Sequence, residues 1–172
     1  MGTGYNNWST RWKVGMTLEE YSALDGLLFY AEYYNAAVAN GSSVTLGIST
    51  PTTHTSRGRI IVESDEGVTV QFSEAATYTG GSAVNAINVD RTSANVDHLT
   101  LVSNPTVTNE GTVLIQSILG SASQFREGGT PGECSCSHFK LKANTKYIIK
   151  VTNVSGDASK IKVGWYFIEQ TA

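Results

Sequence analysis

The chain has 172 residues, a length that suits one domain with a full core, and its net charge is −3. No Lys/Arg run is present, which argues against phosphate-driven nucleic-acid binding, and no stretch of about 18 apolar residues is present to span a membrane. Charged residues are only 16%, so Ser, Thr, Asn and Gly carry the polarity, a balance that suits strands and turns more than solvated helices.

Residues 1–15, MGTGYNNWSTRWKVG, lack the apolar core of a signal peptide, so the expectation is a protein made and kept in a cytoplasm. We read residues 1–16 as a polar N-terminal arm ahead of one domain over 17–172. Trp8 and Trp12 are two large aromatics in a segment too polar to fold alone, which is the pattern of anchors that dock elsewhere. TLEEYSALDG is the one helix-like piece, of at most two turns: Thr17 and Glu20 have capping-box spacing and Gly26 is a stop; the alternative is an extended arm that docks Leu18, Tyr21 and Leu24 on the body.

After Gly26 the period becomes two. LLFYAEYYNAAV places Leu27, Phe29, Ala31 and Tyr33 on a core face and Leu28, Tyr30 and Glu32 on the other. Asn40-Gly41 is a turn signal, and SVTLGIST alternates Val44, Leu46 and Ile48 inward. TPTTHTSRG reads as a loop, and RIIVES and GVTVQFSEA as a hairpin around SDEG, with Val68, Val70 and Phe72 on one face. The polar run from Thr77 to Asp97 reads as a surface wrap with one short strand, Ala83 to Ile87. HLTLVSNPTVT alternates again, NEG turns, and TVLIQSILG reads as a buried strand with Val113, Ile115 and Ile118 inside. After a long loop, the residues from Ser137 to Gln170 give three strands linked by KANT and VSGDAS. Eight to nine short strands with turns at this spacing predict an all-β fold: a single jelly-roll-like β-sandwich with at most one short helix.

The candidate chemistry is thin. Cys134, Cys136 and His138 alternate and could share a strand face, but they would sit about 6.5–7 Å apart, too far for one zinc with bonds of about 2.0–2.3 Å. His54 and His98 fall in separate loops or edges. The two thiols therefore read as marks of a subunit contact, with a metal shared between copies at a symmetry axis as the surviving alternative. Cys134 and His138 are also too far apart along a strand to act as a nucleophile–base pair, and no G-x-S-x-G is present, so no catalytic residue, cofactor or metal ligand is assigned. The aromatics say more. Tyr30, Tyr33, Tyr34, Trp165, Tyr166 and Phe167 put rings on both faces of their strands. One face serves the core and the other presents rings outward, as interfaces and sugar-binding surfaces do.

Several pieces together resemble the head decoration, or capsid cement, proteins of tailed bacteriophages. They are EEYSALDGLLFYAEYYN, SVTLGISTP, INVDRTSANVDHLTLVSNPTVTNEGT, FKLKANTKYIIKVTNVSG and WYFIEQ, spread from about Glu20 to Glu169. The NVDRTS crossover is a loose match, and Cys-Ser-Cys is not part of the family pattern. The resemblance implies a non-enzymatic β-rich protein on the capsid surface of a virion. Its partners would be the major capsid protein and, as a dimer or trimer, copies of itself, with no nucleic acid or membrane. The interface residues so expected are Trp8, Trp12, Tyr30, Tyr33, Tyr34, Cys134 and Cys136. The alternative is a tail or fibre module that binds host glycan through tyrosines.

Overall fold

The computed structural model describes residues 18–120 and 138–171. Thr17, Trp8, Trp12, Cys134 and Cys136 lie outside them, so neither the capping box nor the thiol readings are addressed. Helix α1 (Leu18–Leu24) carries Glu19 and Glu20 in its first turn, where the helix dipole favours negative charge. It stops where expected: Gly26 takes φ +67°, and the Leu27 N–H donates to the Ser22 carbonyl at 2.9 Å.

Two large antiparallel sheets follow. The first has the order β11 (Phe139–Lys140), β3 (His54–Ser64), β13 (Ser159–Thr171), β1 (Leu28–Val38), β7 (Ile87–Asn88). The second has the order β10 (Thr112–Leu119), β4 (Val68–Glu74), β12 (Lys146–Asn153), β2 (Ser43–Ser49), β8 (Thr100–Ser103), β6 (Ser82–Ala83). A small third sheet pairs β5 (Thr77–Thr79) with β9 (Thr106–Asn109). Four pairings are nested: β1 with β13, β2 with β12, β3 with β11, and β4 with β10. The chain thus runs out over residues 28–74 and back over 112–171 as one long hairpin. Rolling it up sets β13 between β1 and β3, and β12 between β2 and β4. This is the jelly roll that the strand pattern predicts.

The core follows the period-two faces. Phe29, Ala31 and Tyr33 point between the sheets, as do Val44, Leu46 and Ile48, and Val68, Val70 and Phe72. Phe72 bridges the layers, with its ring 6.1 Å from Trp165 and 5.7 Å from Tyr147. Phe29 stacks on Phe167 at 5.6 Å across the β1–β13 register. Gly58, opposite Phe167, has no room for a Cβ, which would overlap the Tyr166 carbonyl.

Five expectations are corrected. Leu27, expected inward, is 39% exposed, and Leu28, expected outward, is buried. RIIVES and GVTVQFSEA form no hairpin, because β3 and β4 belong to different sheets. Asp65 instead holds the start of β13, accepting from the Lys160 N–H at 2.7 Å and the Ser159 hydroxyl at 2.9 Å. The loop TPTTHTSRG already holds the first residues of β3, which begins at His54. Its polar residues hid it, yet Thr55 and Ser56 are buried with partners: Thr55 donates to the Leu141 carbonyl and Ser56 accepts from Trp165 Nε1 at 3.0 Å. The single strand Ala83 to Ile87 is two, β6 and β7, in different sheets. Finally, β10 is an edge strand and not a buried one. Val113 is 48% and Ile118 77% exposed, while Ile115 packs at the margin of the core. Leu114 interrupts the register between Val113 and Ile115, and that bulge shifts the alternation.

Residues 75–111, between β4 and β10, build an addition to the roll. They contribute β8 and β6 beyond β2, and β7 beyond β1, so they close one side of the sandwich. The β5–β9 pair covers part of the outer face of the second sheet. There Ile148, Ala76 and Tyr78 form a small second core, with Val102 and Val107 against it.

Candidate interaction face

The outer face of the sheet β3–β13–β1 gathers the aromatics that the sequence sends outward. Register sets them in rows: Tyr30 opposite Tyr166 opposite Arg59, and Tyr34 opposite Lys162 opposite Glu63. In the first row the Tyr30 and Tyr166 rings lie 6.4 Å apart, and the Arg59 guanidinium sits 5.0 Å from the Tyr166 centroid. Glu19 of α1 reaches this row, with Arg59 at 4.0 Å and His138 Nε2 at 3.0 Å. Gly164 leaves space for Tyr30, whose ring would crowd a Cβ there at 3.2 Å.

In the second row Lys162 lies between two carboxylates, Glu63 at 2.6 Å and Glu32 at 3.7 Å. Tyr30 donates its hydroxyl proton to Glu32 and joins the rows. Burial, reinforced by that hydrogen bond and the Glu32 charge, pushes the Tyr30 phenol well above its ordinary value. Burial and the Glu19 charge raise Tyr166 too, against the pull of Arg59. Both phenols therefore stay neutral donors at physiological pH.

Tyr34 is the ring left open, 54% exposed. It borders a concavity of about 730 Å³ whose rim holds Glu32, Glu63, Asp65, Lys160 and Lys162. Burial acts to raise Asp65, but the Lys160 N–H and Ser159 hydroxyl outweigh it and hold the carboxyl below its usual value. The rim thus offers fixed carboxylates, ammonium donors and one open aromatic face, suited to stacking and hydrogen bonding.

The structure separates the three tyrosines expected at an interface. Tyr30 and Tyr34 share the outer face. Tyr33 points to the core side, where its hydroxyl accepts from Asn104 Nδ2 at 3.0 Å.

A second concavity, of about 340 Å³, was not visible in the sequence. His54 and His98, expected in unrelated places, stack face to face at 3.9 Å and 4°. His98 Nδ1 lies 2.8 Å from Glu169, and the His98 N–H donates to the same carboxylate at 3.0 Å. Thr53 Oγ1 lies 2.9 Å from His54 Nδ1. The rings meet through their faces, so no hydrogen bond carries a proton between the Thr53–His54 and His98–Glu169 pairs. Parallel rings also aim their nitrogen lone pairs side by side and not at one ion. No sequence signal joins these residues: His98 and Glu169 are 71 positions apart.

No family model, curated protein or solved structure matches this chain.

Proposed function

We propose that this is a non-enzymatic virion structural protein that binds a capsid shell and stabilises it by bridging neighbouring major capsid subunits. The observation that carries the reading is where the decoration-protein-like pieces fall. They lie on α1 and β1, on β2, on β7, β8 and β9, on β11 and β12, and on β13. The resemblance therefore spans β1, β2, β11, β12 and β13 of the roll and part of the inserted segment, and it includes the outer aromatic face built on β1 and β13. A shell protein of this kind acts by added contact area, and many identical contacts on a symmetric lattice sum through multivalency. Mixed with undecorated capsids at micromolar concentration, the protein should pellet with them, as a known cement protein does. Protein left in the supernatant while that control pellets would overturn the reading.

One observation favours a second reading, a tail or fibre module for host glycan: the open Tyr34 ring beside a charged concavity. Specific binding on a glycan array, lost in Tyr34→Ala with the fold intact, would select it. A silent array with capsid pelleting selects the first reading.

A further inference from the structure

We infer that β10 is an interface strand that pairs edge to edge, antiparallel, with β10 of a second copy of this chain. The inference does not depend on what the sandwich binds.

The two large sheets have four edge strands among the described residues. Three of them, β11, β7 and β6, are two residues long. Such short strands are one way a protein blunts its edges. Where β3 and β1 run past these short partners they carry charge, Arg59 and Glu63 on β3 and Glu32 on β1. Charge is a second blunting device. The fourth edge, β10, is eight residues long and reads TVLIQSIL, with no charge and no proline. Its bulge at Leu114 protects one end only, and from Ile115 to Leu119 the register on β4 is regular. Among the described residues β4 is its one strand partner, so a row of N–H and C=O groups faces outward. Val113, Leu114 and Ile118 are three of the ten exposed large hydrophobics among the described residues, concentrated on this one strand.

The open edge calls for an extended strand, and charge selects which. A copy of β10 brings no charge to a strand that has none, and an antiparallel twofold makes the pairing self-complementary. The chain's own residues 8–14, WSTRWKV, alternate like a strand, but Arg11 and Lys13 would find no carboxylate on β10. Residues 121–137 are broken by Gly128, Gly129, Pro131 and Gly132, which suit a strand poorly. The inserted residues 75–111 add their sheet strands on the opposite side of the sandwich and so do not pair with this edge. In the pair, the two six-stranded sheets run on as one across the axis, with Gln116 and Ile118 of each copy on the outer face.

The test is the oligomeric state of the full chain in reducing buffer, by sedimentation equilibrium. The range runs from about 5 to about 500 µM, because an edge contact under about 1,200 Å² is a weak one. The wild type should show a reversible monomer–dimer equilibrium. Gln116→Lys and Ile118→Lys, each placing an ammonium on an exposed position, should each weaken it at least tenfold with unchanged circular dichroism. Hydrogen exchange gives a second readout on the unaltered protein: the alternate amides of 115–119 that face away from β4 should be slow when concentrated and lose protection on dilution, while those bonded to β4 stay protected throughout. A wild type monomeric across the range, or an oligomer indifferent to both lysines, would overturn the inference. So would outward-facing amides in 115–119, those turned away from β4, that stay protected in the dilute monomer, which would mean that the chain covers its own edge.

Discussion

Asn153 has no exposed surface and uses both ends of its amide. Its Nδ2 donates to the Val38 carbonyl at 2.8 Å and the Asp157 carbonyl at 2.6 Å. Its Oδ1 accepts from the Ser155 N–H at 3.0 Å and hydroxyl at 2.7 Å. One side chain thereby ties the end of β1 to the turn between β12 and β13. Asn153→Ala strands these groups in a buried place, so we expect a loss of about 3 kcal/mol in urea unfolding. Asn153→Asp keeps the acceptor but sets a carboxylate against two carbonyls, and it should cost at least as much. Two carboxylates give a pH test of opposite sign. Burial and the nearby Glu169 charge hold Asp97 above its usual value in the fold. A raised carboxyl favours the fold when protonated, so its ionisation removes stability as pH rises through the folded value. Asp97→Asn should therefore raise stability at pH 7 by a few tenths of a kcal/mol, a half-exposed charge being screened, and do nothing near pH 3. The Lys142 hydrogen bond holds Glu74 low, against burial, with Tyr147 helping. Its stabilisation is present above the unfolded value and is lost as pH falls through the folded one, so Glu74→Gln should cost stability at pH 7 and nothing in acid. Melts of both variants at the two pH values check the signs.

At the scale of elements, the strands legible in the sequence are those whose inward residues are apolar and strictly alternate: β1, β2, β4 and β12. The start of β3 was not legible, because Thr55 and Ser56 are buried through hydrogen bonds and not through apolar surface. The edge role of β10 was not legible either, since TVLIQSIL has a buried composition and only the register shows the bulge. The candidate site divides the same way. Alternation fixed Tyr30 outward and Tyr33 inward, whereas the His54–His98 stack arises from chain closure that no local pattern encodes. The β5–β9 pair shows what the insertion contributes. Its Tyr78 ring lies over Gly47, where a Cβ would meet it at 2.9 Å, and Lys146 Nζ stands 4.7 Å from the ring centre. Burial raises the Tyr78 phenol to about 12, and its hydroxyl has no hydrogen-bond partner among the described residues. Tyr78→Phe keeps the ring and removes an unpaired buried hydroxyl. Thermal unfolding should show it neutral to about 1 kcal/mol more stable, while Tyr78→Ala should lose about 3 kcal/mol or more.

For the whole molecule, the nested pairings put most contacts far apart in sequence, which slows folding, and the outermost pair closes the longest loop. That outermost pair is β1 with β13, and it runs from Leu28↔Ile168 to Val38↔Ser159. Every buried hydrophobic residue among those described lies between Leu28 and Ile168, so the sandwich closes on residues that begin well after residue 16. Deleting residues 1–16 should therefore leave a soluble domain whose melting temperature moves by no more than about 4 °C, the shift expected for about 1 kcal/mol in a chain of this size. On the proposed function its capsid pelleting should nevertheless fall, because that reading gives Trp8 and Trp12 the docking on a neighbouring subunit. The comparison needs the double variant Trp8→Ala, Trp12→Ala in the full chain, which separates anchoring from length. If both variants fold and both lose pelleting by about tenfold, the rings act as anchors of the kind that dominate interfaces. If the truncated chain is insoluble or melts far lower, residues 1–16 belong to the core and the arm is not a clamp.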